Sequence, residues 1–355
     1  MSQTLAHIAG RPIGPGHPPY VVAEMSGNHN GDLRRALDLI SAAADAGADA
    51  VKIQTYTADT ITLDHDGPGF RIEGGLWDGR RLHELYAEAH TPWDWHAAMF
   101  AHARSKGVTL FSSPFDFTAV DLLESLDAPA YKIASFELVD LPLVRRCAAT
   151  GRPLVMSTGM ASEAEIAEAV AAARGAGARD LIVLHCTSAY PAPMSSMNLA
   201  TLPEMAERFG VMTGLSDHTL GTAASVAAVA LGAVFIEKHF TLSRDEGGVD
   251  SAFSLEPDEL AELVRSCRGA WEALGGVAYG PGDAEAGNAG MRRSLYVSAP
   301  VRKGEAFTAD NVRSVRPGHG LPPKNLEAVI GRRATRDIPF GEPLDWSMVE
   351  GGEPG

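Results

Sequence analysis

Four side chains carry the first chemical signal: His218 and His239, each closing a short apolar run, and Lys52 and Lys132, each set inside one. Two imidazoles on neighbouring strand ends can share one divalent cation, and with only two protein ligands several coordination positions stay open, as polarising a carbonyl requires. Manganese, magnesium or cobalt suits such a site better than a closed structural zinc. The plainer alternative is two independent hydrogen-bonded histidines, which their shared placement at strand ends disfavours. A lysine inside an apolar run is costly without a counter-charge, so Lys52 and Lys132 point to a phosphate or carboxylate ligand, or else to snorkelling or an internal salt bridge. Hydroxyls recur nearby at Ser112, Ser113, Ser135, Ser157, Thr158, Ser188 and Ser216. Any one of them could be a helix N-cap; together they read as a phosphate-binding collar. Glu24, Gln54, Glu137 and Asp250 add groups able to act as acid, base or ligand to a sugar hydroxyl, and spacing alone does not rank them.

These residues need elements to hold them in one place. Eight apolar runs punctuate residues 20 to 240, at Tyr20–Glu24, Ala50–Gln54, Thr109–Ser113, Ala130–Ser135, Leu154–Thr158, Leu181–Ser188, Val211–His218 and Phe235–His239, with helical spacing between them. Strands alternating with helices predict an α/β fold built of βαβ units, and eight units close a (β/α)8 TIM barrel. Polar groups at the C-terminal strand ends are then the active site. Taken as a ring, they divide into a phosphate half on strands two to five with Ser216, and a metal half on strands seven and eight, facing Glu24.

The 355 residues exceed what a barrel of roughly 250 requires, which predicts a second domain. The divisions expected are a catalytic barrel over 1–274, a linker over 275–290 of Gly-rich composition, and a small domain of short strands and turns over 291–351. The hydrophobic share of 45% with 21% charged residues is globular composition. Net charge is -15, but residues 291–355 carry ten Lys+Arg against eight Asp+Glu, so the acidity belongs to the body. A chain this acidic is not expected to bind nucleic acid, and no apolar run is long enough for a membrane span. No secretory leader pattern precedes the first strand, and Cys147, Cys186 and Cys267 show no paired spacing, so a cytoplasmic protein with buried thiols is expected.

Local signals refine the outline. The Gly- and Pro-rich stretch 5–19 reads as a hairpin able to plug the barrel bottom. Asp32 and the pair Ser162 and Glu165 mark helix starts; Gly47, Gly107 and Gly210 mark stops. The second βα connection, 57–92, is far longer than the usual 2–6 residues. It is either a lid or dimer contact, or a packed excursion. His90, His96 and His102 read as surface or packing residues, and no nucleotide-binding glycine motif is present.

The motifs AEMSGNHN (23–30), VKIQTY (51–56), YKIAS (131–135), MSTGM (156–160), HCTSAYP (185–191), GLSDH (214–218) and IEKHF (236–240) resemble the sialic acid synthase family throughout the barrel. SVRPG (314–318) resembles that family's C-terminal type III antifreeze-like domain, a SAF or β-clip fold. The resemblance implies metal-dependent condensation of phosphoenolpyruvate with an open-chain amino sugar, releasing phosphate, with manganese first and magnesium or cobalt as alternatives. It implies that His218 and His239 hold the metal and that Glu24 moves protons. It assigns Lys52, Ser113, Lys132, Ser135, Ser157, Ser188 and Ser216 to phosphoenolpyruvate, and Gln54, Glu137, Tyr190 and Asp250 to the sugar. Arg316 would come from the partner subunit of a domain-swapped homodimer. Within the family, GGLW (74–77), LFSSPFD (110–116) and DSAFSL (250–255) are most similar to the branch forming pseudaminic acid, which implies 2,4-diacetamido-2,4,6-trideoxy-L-altrose as the sugar. Serines stand at 113 and 188 where N-acetylneuraminate-forming members have threonine and asparagine, a departure away from N-acetylmannosamine.

Other readings of the same residues are an N-acetylneuraminate or legionaminate synthase, a Schiff-base aldolase using Lys52 or Lys132 as nucleophile, and a non-catalytic carbohydrate-binding protein.

Overall fold

In the computed structural model, residues 5–354 are described. They begin with an antiparallel hairpin of β1 (Ala6–Ile8) and β2 (Arg11–Ile13). Eight parallel strands follow: β3 (Tyr20–Glu24), β4 (Ala50–Thr55), β5 (Thr109–Pro114), β6 (Tyr131–Ile133), β7 (Leu154–Ser157), β8 (Leu181–Cys186), β9 (Met212–Asp217) and β10 (Phe235–His239). They pair in sequence order, and β10 returns to β3 to close the barrel. The expected TIM-type ring is therefore formed.

Side chains alternate across each strand, which gives the wall two apolar faces. Outward residues such as Val21, Val51, Ile53, Leu110 and Val183 pack beneath the helices. Inward residues near the strand starts, among them Tyr20, Val22, Phe111, Val155, Ile182 and Phe235, form a separate cluster with Ala6, Ile8 and Ile13 of the hairpin. All three hairpin side chains are fully buried, so the hairpin stoppers the N-terminal end of the barrel. Each of its two isoleucines contributes about 1.5–3 kcal/mol by leaving water.

The helices start and stop where local chemistry dictates. The Asp32 side chain accepts from the Arg34 amide at the head of helix Leu33–Asp45, and Ser162 and Glu165 form a reciprocal capping box for Glu163–Gly175. Gly107, with φ 70°, ends helix His96–Lys106 in the left-handed conformation that favours glycine. His96 is buried against the Thr55 hydroxyl at 2.8 Å, the packing role expected of it. No helix among the described residues is long and apolar enough to cross a membrane.

The chain divides into two compact units, residues 1–275 and 276–355. The second begins with exposed Gly- and Ala-rich residues that wind into 3-10 turns over Asp283–Met291. It then forms the antiparallel pair β11 (Ser294–Val297) and β12 (Val312–Val315). Isolated bridges at Val301–Ile338, Ala306–Arg333 and Ala334–Val349 complete it around Leu295, Val297, Phe307, Val329 and Leu344.

Candidate active site

At the C-terminal ends of the strands the inward face turns from apolar to charged. Lys52 on β4, Lys132 on β6 and Glu237 on β10 are buried together. Lys132 Nζ donates to both Glu237 carboxylate oxygens at 3.1 and 3.3 Å, and Lys52 Nζ lies 3.6 Å from Glu237 Oε1 and 2.8 Å from Glu24 Oε2. Two ammonium groups thus share Glu237, with Glu24 closing the cluster on the Lys52 side. Burial pushes the Glu24 carboxyl up, opposed by Lys52 and reinforced by Glu237. Burial acts the same way on Glu237, but Lys132 and Lys52 prevail and hold it below its ordinary value. Lys132 is depressed because burial outweighs Glu237.

The hydroxyls sort themselves by face. Lys52 Nζ donates to Ser113 Oγ at 3.3 Å, Ser216 Oγ donates to Glu237 Oε1 at 3.3 Å, and the Gly159 amide donates to Ser135 Oγ at 3.1 Å. Ser157 Oγ is buried with no hydrogen-bond partner, an orphan hydroxyl available to a ligand. Ser188 Oγ lies 3.7 Å from the Cys186 sulfur. Ser112 and Thr158 leave the collar: Ser112 bonds Thr55 and the Ile53 carbonyl, and Thr158 donates to the Leu184 carbonyl, inside the barrel wall. Neighbouring residues on a strand face opposite sides, so Ser113 faces inward only if Ser112 does not.

One step further toward the rim stand the imidazoles, two residues along their strands from Ser216 and Glu237. Their ring centroids are 5.3 Å apart. His218 Nδ1 donates to the Thr187 carbonyl at 3.0 Å, the kind of contact that orients metal-binding histidines. Burial works against the charged ring, but Cys186 and that carbonyl raise it above its ordinary pKa. His239 Nδ1 is buried without a hydrogen bond, and burial together with His218 and the nearby lysines holds the ring well below its ordinary pKa, hence neutral. Among the described residues no group of three or more His, Cys, Asp or Glu is placed to hold a metal. Two imidazoles with centroids 5.3 Å apart, one with a ring nitrogen free of hydrogen bonds, would suit an ion held by two protein ligands with its other positions open. Behind the wall, Lys238 Nζ meets Asp217 Oδ2 at 2.9 Å, and these two residues are register partners on β10 and β9. Asp217 also accepts from Thr219 and Ser225. This outward pair locks the register that turns His218 and His239 inward together.

Gln54 Nε2 donates to Glu24 Oε1 at 2.8 Å and to Ser26 Oγ at 3.1 Å, and Ser26 in turn donates to Asp250. Glu24 is thus the register partner of His239 rather than a group facing it across the ring, because β10 closes on β3. Glu137, in the short turn after β6, has one buried oxygen without a partner, and burial pushes its carboxyl up to about 7. Tyr190 covers the imidazoles, its ring 4.4 Å from His218 and 5.1 Å from Phe253. Arg316 belongs to the second unit, where it is exposed just after β12.

Three residues that the sequence motifs contain but do not single out belong to this site. Glu237 joins the lysines, Phe253 backs His239 at 4.9 Å, and Gly159 leaves a space that a Cβ would fill at 2.1 Å from Ser188 Oγ. The spacing of Glu237 two residues before His239 was the available signal for the first.

Residues 39–279 match the NeuB family, and residues 292–350 match the SAF domain. The chain belongs to the NeuB family. This NeuB-family chain is 46% identical, over 92% of its length and 95% of the relative's, to a pseudaminic acid synthase from Campylobacter jejuni subsp. jejuni. It is 41% identical, over 94% and 98%, to a pseudaminic acid synthase from Helicobacter pylori. Among solved structures it is similar to an N-acetylneuraminic acid synthetase from Leptospira borgpetersenii, crystallised with citrate, with a TM-score of 0.72 at 30% identity, covering 81% of this chain and 95% of that one.

Proposed function

We propose that this chain is a pseudaminic acid synthase: it condenses phosphoenolpyruvate with open-chain 2,4-diacetamido-2,4,6-trideoxy-L-altrose and water, giving pseudaminic acid and phosphate. The observation that carries the reading is the buried Lys52, Lys132 and Glu237 cluster set directly beneath the His218 and His239 pair. Lys52, Lys132, Ser113, Ser135, Ser157, Ser188 and Ser216 would bind phosphoenolpyruvate, and Gln54, Glu137, Tyr190 and Asp250 the sugar. His218 and His239 would hold a divalent ion, manganese first, with magnesium or cobalt as alternatives. Such an ion, when bound, supplies Lewis-acid polarisation of the sugar aldehyde.

The remaining chemistry falls to the chain. C3 of phosphoenolpyruvate bonds to the aldehyde carbon, whose oxygen takes a proton. Water adds at the cationic C2 and loses a proton, and phosphate leaves as the C2 ketone forms. Glu24 would move those protons; its buried carboxyl lying between Lys52 and Gln54 supports that reading. Lys52 does not suit the aldolase alternative, because Glu24 and Glu237 hold it as an ammonium group against its burial. Lys132, whose burial outweighs Glu237, is the lysine that borohydride trapping tests.

Phosphate release from phosphoenolpyruvate tests the reading, using manganese-loaded protein and a panel of the diacetamido-trideoxyhexose, its legionaminate-type isomer and N-acetylmannosamine. We expect release with the first sugar and its abolition by chelator. No release with any sugar would overturn the reading, as would chelator-resistant activity with a borohydride-trapped lysine. The same reading makes the protein a cytoplasmic, domain-swapped homodimer in which Arg316 reaches the partner's sugar. Arg316→Ala should then raise the sugar KM about tenfold or more and leave that of phosphoenolpyruvate unchanged. An unchanged sugar KM removes Arg316 from the site.

A further inference from the structure

The long connection between residues 57 and 92 carries Trp77 to the rim of the site. Its middle folds back on itself, with the Ile72 amide on the Arg80 carbonyl at 2.9 Å and the Leu82 amide on the Phe70 carbonyl at 3.0 Å. The tip is held by Asp78, which accepts from the Gly74 amide. At that tip Trp77 donates its indole N–H to the Val249 carbonyl at 3.0 Å, one residue before Asp250, and its ring lies 5.6 Å from Tyr190. The aromatic series is continuous. Phe253 stands 4.9 Å from His239 and 5.1 Å from Tyr190, Tyr190 stands 4.4 Å from His218, and Trp77 extends the row outward from Tyr190.

Tyr190 keeps a hydroxyl, but its neighbours on either side have no hydrogen bond to offer. Phe253 has no polar atom, and the only donor of Trp77 is already engaged by Val249, so the wall at its outer end, Trp77, is apolar. A substrate hydroxyl pressed against it would lose water and gain no partner, whereas a methyl group would gain contact. A six-carbon open chain with its aldehyde at the imidazoles and its far end running outward brings that end to the wall.

We propose that Trp77 is a specificity-determining residue that receives the deoxygenated methyl end of the sugar, with Tyr190 and Phe253 beside it. The proposal rests on the condensation reading above and adds to it the residue that chooses between a 6-deoxy and a 6-hydroxy substrate. An apolar pocket discriminates against one added hydroxyl only by about 10- to 100-fold, and the preference should have that size.

The experiment measures kcat/KM by phosphate release for the diacetamido-trideoxyhexose and its 6-hydroxy counterpart, in the wild-type protein, Trp77→Ala and Trp77→Phe. The wild type should favour the deoxy sugar. Trp77→Ala should bring the ratio to within a few-fold of one by losing rate on the deoxy sugar, with the KM for phosphoenolpyruvate unchanged. Trp77→Phe should retain most of the preference. A ratio unaltered by Trp77→Ala, or an equal loss on both sugars, overturns the role of Trp77. Wild-type protein inactive with both sugars overturns the condensation reading instead.

Discussion

His239→Ala protein will fold and lose metal-dependent turnover by about 10³-fold, equivalent to about 4 kcal/mol of transition-state stabilisation. The fold should survive because the imidazole gives the apo protein little. Its Nδ1 is buried without a hydrogen bond, so truncation removes an orphan polar atom and creates none. What is lost in packing is the contact with Phe253, that with the His218 ring and the more distant one with Tyr190. A cost of about 1–2 kcal/mol is expected from that alone. Circular dichroism melts check the fold, manganese titration checks binding, and phosphate release checks turnover. Wild-type turnover at saturating manganese would refute the assignment of His239 as a ligand.

Glu237→Gln should have the largest effect on stability. Among the described ion pairs, Lys132 has Glu237 as its carboxylate partner, and Lys52 shares the same group. Neutralising that carboxylate leaves two ammonium groups in a buried space with Glu24 alone to oppose them. Breaking a buried pair from one side costs about 3–5 kcal/mol, because the remaining charge is uncompensated. In a barrel of this size that corresponds to a fall in Tm of roughly 5–10 °C. Inorganic phosphate or phosphoenolpyruvate, supplying the missing negative charge, should raise the melting temperature of Glu237→Gln by more than that of the wild type. Equal melting temperatures without ligand would mean that Glu237 does not serve as the internal counter-ion.

The barrel was legible in the sequence because its signal is periodic: apolar runs of strand length recur between helical stretches, and the eight strands fall on the eight runs. Lys52 and Lys132 stood out for the same reason, as single charges inside apolar runs. Glu237 did not, because it lies in Phe-Ile-Glu-Lys-His, where three polar residues are consecutive and composition does not say which face inward. Pairing with β9 decides it: Lys238 turns outward to Asp217, so Glu237 and His239 turn inward. Ser112 and Ser113 pose the same question, and the pairing of β5 with β4 answers it. Gly159 and Trp77 depended on close approaches between segments far apart in the chain, which no local pattern encodes. The neighbourhood of Glu24 and His239 followed from barrel closure, a property of the ring rather than of either strand.

The hairpin of β1 and β2 has a consequence for traffic. Because Ala6, Ile8 and Ile13 seal the lower end with apolar packing, the polar cup is a blind well with one mouth, at the rim. The lysines and Glu237 lie one inward-facing step below the imidazoles, so the two proposed substrates would occupy different depths of the same shaft. Under the proposed reaction, phosphoenolpyruvate must then descend before the sugar arrives above it, and phosphate can rise out only after the sugar-derived product has cleared the mouth. A stopper at the far end of the barrel would thereby impose a first-in, last-out order on the chemistry at the rim.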